Sequence, residues 1–290
     1  VYKVTQDHAG DRLQVVLQDD VAKSQAILTP SRGGMLTGLQ LQGREYLYGD
    51  PENLLSDERP RCAMPVLFPI CGPLPNDTFT WNQKRYTMGI HGVAHLLPWE
   101  LVATSAADGA EAVLQLAANE KSLTAFPFAF ELTFRYRLQG RRLWVRQAYA
   151  NTGTEAMPFV YGFHPYFIVE NAAAAQMDLK MSAARYFGPA SPIPAERPML
   201  DSLLSLPAQG PEGGIFCQGV RSPVVMTQGS RQITMGFDSS FSTVVIWSNR
   251  YDKYLCVEPW SGTAADVSAG TALQLLPGET WHAECWIEMG

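Results

Sequence analysis

Two short stretches of the chain set a proton-exchanging side chain among apolar neighbours. GFHPYF, residues 162 to 167, closes an apolar run that begins at Met157, and within it His164 is followed directly by Pro165. Proline biases the residue before it toward extended backbone. The flanking aromatic rings would desolvate the imidazole, lowering its pKa and poising the neutral form. A histidine in such a run is more often a hydrogen-bonded core group than a catalyst, so an acid–base role needs support from elsewhere. YLCVEPWSG, residues 254 to 262, offers a second candidate. Strand periodicity puts Leu255 and Val257 on one face and Cys256 and Glu258 on the other. A carboxylate among such neighbours is costly unless paired or functional, and burial would raise its pKa toward the range of a general base. The competing reading is a glutamate at a sheet edge reaching water, which Pro259 would permit.

Two further stretches hold candidates of a different kind. GIHGVAHLLPW, residues 89 to 99, sets His91 and His95 at the i, i+4 spacing of helical metal ligands. Gly89, Gly92 and Pro98 bracket them and no HExxH glutamate accompanies them. A metal site is therefore not expected. Hydrogen bonding to a polar ligand and two ordinary loop histidines are both open. Arg61 precedes the strand-like run CAMPVLFPICG; its guanidinium could fork onto a carboxylate or phosphate, although a solvated arginine at a strand end is the commoner arrangement. The chain has no P-loop, no GxGxxG after a strand, no GxSxG and no zinc-type cysteine pattern. The seven tryptophans could offer flat faces to sugar rings, but aromatic side chains are core material first.

The elements that must position these groups read as strands. RLWVRQAY alternates, with Leu143, Val145, Gln147 and Tyr149 on one side; FELTFRYRL before it alternates too, and QGRR between them is turn-like, so a hairpin is expected. DRLQVVLQ, SQAILTP, EAVLQLAA, STVVIWS, YLCVEPW and TWHAECWIEM are similar short runs separated by turn clusters. Only ENAAAAQMDLKMSAA, residues 170 to 184, has a helical aspect. Many short strands punctuated by turns imply a sandwich or barrel. No repeat or linker divides the chain, so residues 1–290 are expected to form a single domain, with the Pro-rich stretch 188 to 213 as a surface excursion.

Bulk properties narrow the partners. The chain has 290 residues, 46% hydrophobic and 17% charged, enough for a large core, and a net charge of −6. That balance argues against nucleic acid or an anionic membrane as the main partner, while a local arginine could still hold a phosphorylated small molecule. Five scattered cysteines without a CxxC pair fit reduced thiols in a cytoplasmic protein. There is no apolar leader at the start and no run of about 18 apolar residues, so the chain reads as soluble.

Taken together, RCAMPVLFPICG, GIHGVAHLLPWELV, FPFAFELTFRYRL, AYANTGTEAMPFVYGFHPYF, CVEPWSG and LLPGET resemble, in this order, the aldose 1-epimerase (galactose mutarotase-like) superfamily, near its hexose-6-phosphate mutarotases. The resemblance implies an all-β, galactose mutarotase-like β-supersandwich with a sugar site on a concave face. It implies interconversion of α and β anomers without cofactor or metal, His164 acting as acid and Glu258 as base. His91 would hold the sugar, Arg61 matches the arginine of the sugar-phosphate branch, and His95, Tyr166 and Trp260 complete the expected contacts. Two departures, Pro73 and His95 where many relatives carry a basic residue, remove positive charge that could grip a phosphate. Glu212 is the nearest counterpart of an additional acidic sugar ligand. The expected partner is a sugar or sugar phosphate. A second reading, a sugar-binding or regulatory module without turnover, rests on the same two departures. A third, hydrolysis, is weakened by the lack of a second convincing buried carboxylate.

Overall fold

The computed structural model describes residues 1–170, 177–187, 197–206 and 214–290. Alternation drives the architecture. The Phe130–Gln139 strand buries Phe130, Leu132, Phe134, Tyr136 and Leu138, and the Arg142–Asn151 strand buries Leu143, Val145, Gln147 and Tyr149. The two pair as the expected hairpin, Gln139 opposite Arg142. Gly140 stands in the two-residue turn at φ 61°, a conformation that glycine adopts without a Cβ penalty.

The N-terminal strands Tyr2–Ala9, Arg12–Asp19, Ser24–Thr29, Met35–Leu41 and Arg44–Glu45 form an antiparallel meander in sequence order. A longer sheet takes up most of the remaining strands. From one end it runs Val66–Leu67, Gly162–Phe163, Tyr254–Trp260, Thr243–Trp247, Ile215–Gln218 and Met177–Phe187. It continues through Arg221–Gln228, Arg231–Phe237, Thr280–Met289, Arg142–Asn151, Phe130–Gln139 and Ala110–Ala117 to Glu100–Ser105. The meander lays its second strand across Ala110–Ala117 and Phe130–Gln139, and a hydrophobic core that includes Val15, Leu28, Leu114, Phe134 and Ile287 fills the space between. Phe68 is ringed by Phe126, Phe130, Tyr149 and Phe159 at centroid distances of 4.9 to 5.8 Å. Full burial of each such side chain is worth about 1.5–3 kcal/mol. The all-β expectation is met: the described helices Pro51–Leu55, Glu120–Ala125 and Ala264–Ala269 are all short.

One expectation is corrected. The second half of the helical candidate is strand: Met177–Phe187 pairs with Arg221–Gln228 and Ile215–Gln218. Cross-strand pairing outweighs the weak intrinsic helix preference of its alanines. The first half lies outside the described residues. Within the Pro-rich stretch, Arg197–Leu206 is a strand hydrogen-bonded to Met177–Phe187; the remainder, Glu212 included, is outside the described residues. All five cysteines are free and buried. Among the described residues no helix is long and apolar enough to cross a membrane.

Candidate active site

The segment around His164 is held from both sides. On one side Gly162 is opposite Trp260 and Tyr166 opposite Cys256. Continuing that antiparallel register puts His164 opposite Glu258. On the other side the His164 and Tyr166 N–H groups donate to Pro65 O and Ala63 O at 3.0 and 2.9 Å. Pro165 has no N–H to place in a ladder, so its position between these two anchors costs nothing. Gly162 is needed for the close approach: a Cβ there would meet Pro259 O at 2.5 Å and Trp260 Cδ1 at 2.8 Å. Glu258 is not an edge residue. It sits in a strand flanked on both sides, 2% exposed.

The result is a direct contact, His164 Nε2 to Glu258 Oε1 at 3.3 Å. Burial dominates both pKa values: it pushes the Glu258 carboxyl well above its ordinary value and the His164 imidazole down to about 3, with Arg59 adding to the fall. The nearby Trp260 indole partly offsets the shift on Glu258, although no hydrogen bond of normal geometry reaches Trp260 Nε1 or Glu258 Oε2. Burial thus favours the uncharged form of both groups. His164 also stacks on Tyr166, with ring centroids 4.7 Å apart and planes 14° apart.

His91 approaches from a tight loop. Its backbone is left-handed at φ 68°, and Gly92 follows at φ 79°, where a Cβ would strike Phe68 O at 2.3 Å. The loop is clamped by a reciprocal exchange: His91 N–H donates to Gly72 O, and Gly72 N–H donates to His91 Nδ1, both at 3.1 Å. Burial holds the His91 pKa well below normal. With Nδ1 accepting, the neutral ring carries its proton on Nε2. The His91 ring lies 5.2 Å from His164 and 5.8 Å from Trp260. His95 sits in the single 3-10 turn Ala94–Leu96 rather than on an α-helix. Both its ring nitrogens are buried without a hydrogen bond of normal geometry among the described residues; burial drives its pKa down to about 3, partly offset by the His91 backbone.

These groups share one cavity of about 250 Å³, lined by His91, His95, His164, Tyr166, Glu258 and Trp260. That volume is just below the roughly 300–1,000 Å³ usual for ligand pockets and suits a single small ring better than an oligosaccharide. Six of the seven residues singled out from the sequence thus converge. Arg61 does not: it is exposed, and its N–H donates to Asn53 Oδ1 at 2.8 Å. Arg59, two residues earlier, lines the cavity instead. Pro60 is buried between them, and the chain there is not a paired strand, so the strand-end reading of Arg61 does not apply. The Arg59 guanidinium makes no hydrogen bond or ion pair among the described residues. Its positive charge lowers the pKa of His91, His95 and His164. Trp247 is a second residue the sequence reading passed over; it lines the cavity with its ring 5.8 Å from His164. Inside the plain strand run STVVIWS nothing marks it except its aromatic character. Pro73 also lines the cavity.

The sequence model of the family described as Aldose 1-epimerase matches residues 14–288. The chain belongs to the aldose 1-epimerase family. The crystal structure of the Slr1438 protein from Synechocystis sp. PCC 6803 is 32% identical, with a TM-score of 0.87 over 99% of this chain and 97% of that one. Protein LacX of Lactococcus lactis subsp. lactis is 24% identical over 291 residues, 86% of this chain and 88% of that protein. Galactose 1-epimerase from Lactobacillus acidophilus NCFM shares the fold at 16% identity, with a TM-score of 0.78 over 100% of this chain and 99% of that one. The galactose mutarotase-like architecture inferred from the ordered motifs is therefore the architecture of this chain.

Proposed function

We propose that the cavity interconverts the α and β anomers of an aldohexose, with Glu258 and His164 exchanging the protons of ring opening. The observation that carries this reading is the cross-strand contact of 3.3 Å between two buried, oppositely functional groups in a sugar-sized cavity. Glu258 Oε2 and His164 Nδ1 have no other partner among the described residues.

Ring opening removes the proton of the anomeric hydroxyl and delivers one to the ring oxygen as the bond from C1 to that oxygen breaks. Sugar hydroxyls donating to Oε2 would stabilise the Glu258 carboxylate and leave the shared proton on His164. Glu258 then accepts the hydroxyl proton while the imidazolium donates to the ring oxygen. The step ends with a neutral carboxyl and a neutral imidazole, the pair that burial favours. Opening thus discharges a buried ion pair, and the low-dielectric site favours it. The opposite assignment would end on the ion pair and be penalised. The open aldehyde turns about C1–C2 and recloses with both transfers reversed. The His91 Nε2–H, the His95 ring and the Trp260 and Trp247 rings would line the bound sugar. Among the described residues Arg59 is the one cation that lines the cavity, suited to an anionic substituent such as a phosphate, and it offsets the charge absent at Pro73 and His95.

Magnetisation-transfer NMR with glucose, galactose and glucose 6-phosphate tests the reading. Wild type accelerates exchange for at least one sugar, and Glu258→Gln, which keeps shape and loses the base, removes about 10²-fold or more of it. Near wild-type exchange in a folded Glu258→Gln protein would remove Glu258 from the mechanism. Tight sugar binding without exchange in wild type would leave a binding module.

A further inference from the structure

We propose that His164, Cys256 and Glu258 form a binding site for a thiophilic divalent cation, zinc above all, whose occupancy switches the acid–base pair off. The inhibitory effect rests on the mutarotase reading; the binding itself does not. Cys256 shares a strand face with Glu258, and the register sets it opposite Tyr166, two residues beyond His164. An imidazole nitrogen, the thiol sulfur and a carboxylate oxygen all lie within 4.8 Å of one another, and all three residues are buried. In a tetrahedral zinc site with Zn–S near 2.3 Å and Zn–N and Zn–O near 2.0 Å, adjacent donors are about 3.3–3.5 Å apart. The His164–Glu258 contact is already at that spacing, 3.3 Å. The sulfur has to close by only about 1 Å, within the reach of a small side-chain rotation.

Three features favour a metal over accidental proximity. The donors come from paired segments of one sheet, so their backbones are held in place. The donor set, one thiolate, one imidazole and one carboxylate, matches the preference of zinc and not that of magnesium or calcium, which take oxygen ligands. The charge also balances: the cation displaces one proton from the thiol and one from the carboxyl to solvent, leaving a complex of zero net charge in a desolvated place. Cys256 itself does not line the cavity, whereas His164 and Glu258 do. The ion would therefore sit beneath the pair with its open position toward the sugar. It would occupy the lone pairs of His164 Nε2 and Glu258 Oε1, which the proton transfers require.

Cobalt(II) and zinc titrations of the full chain test this. Wild type is expected to bind one cobalt with a thiolate-to-cobalt charge-transfer band, displaced by zinc and unaffected by magnesium; both Cys256→Ser and Cys256→Ala lose the band. Zinc slows anomer exchange in wild type. Cys256→Ser keeps the metal-free rate but needs more than about tenfold more zinc for the same slowing. A band that persists in the Cys256 variants, or no cobalt binding by wild type, overturns the proposal. If neither Cys256 variant folds, His164→Ala replaces them, with cobalt binding as the only readout. Exchange without a cobalt band sinks the metal site and leaves the mutarotase; a Cys256-dependent band without exchange does the reverse.

Discussion

The outer face of the hairpin and the cavity handle polar groups in opposite ways. On the outer face each arginine has a carboxylate: Arg135 with Glu111, Arg137 with Asp108 at 2.8 Å, Arg142 with Glu288, and Arg146 with Glu284 at 2.6 Å. The Arg142 guanidinium also lies over the Trp286 ring, 4.2 Å from its centroid. In the cavity His95 has no hydrogen bond of normal geometry on either nitrogen, Glu258 Oε2, His164 Nδ1 and Trp260 Nε1 are unpaired, and Arg59 faces the space without a counter-ion among the described residues. Exposed pairs contribute about 0–1 kcal/mol each, whereas a buried unpaired group costs about 1–3 kcal/mol. The ion pairs thus lie where pairing matters least, while five of the ten buried side-chain atoms without a partner among the described residues belong to residues that line the cavity. Such a pattern is expected when a ligand completes the hydrogen bonds.

Substitutions in the two regions should separate them. The largest effect is expected for His164→Ala: anomer exchange falls about 10²-fold or more with the circular dichroism spectrum preserved, and normal turnover would assign the acid to another group. Next comes Arg59→Ala, which raises KM for a phosphorylated sugar about 10-fold or more while sparing neutral sugars; Arg61→Ala leaves both unchanged. Equal effects of the two arginine variants would reverse the assignment made from the cavity lining.

His95→Leu should move stability the other way, a gain of about 1 kcal/mol as two buried orphan atoms disappear, with weaker sugar binding. The sign of its pH dependence follows from a folded pKa of about 3 against an ordinary 6.5. As pH falls through that interval the unfolded chain takes up the proton and the folded chain does not, so stability is lost toward acid. Urea titrations above and within the interval should show a shallower loss for His95→Leu than for wild type, and an unchanged slope would contradict burial of a neutral ring. The smallest effect belongs to the outer face. Arg146→Ala costs less than about 1 kcal/mol and leaves exchange untouched, which thermal melts and the same NMR assay would check.

Much of this was legible in the order of the amino acids. The hairpin, the faces of the Tyr254–Trp260 strand and the separate candidacies of His164 and Glu258 follow from period-two alternation and from the cost of burying a polar group, while their pairing as acid and base was implied by the family resemblance. Arg59 was not legible, because Arg59 and Arg61, on either side of Pro60, differ only in where an irregular backbone aims them. Trp247 was hidden for a similar reason: an aromatic in a strand is ordinary until its neighbours are known. The segment from residue 177 was misjudged because alanine-rich composition reports local preference, and the partner strand that overrides it lies far along the chain.

Local alternation and residue chemistry were enough to say that the chain is built of strands, which face of each is buried, and which side chains could move protons. Those properties depend on neighbours a few positions away. Only the folded chain decided that His164 stands opposite Glu258, that Cys256 lies beside them, and that an arginine without a partner looks into the cavity. Only there are the pKa directions set, because desolvation is produced by everything packed around a group and not by its position in the sequence.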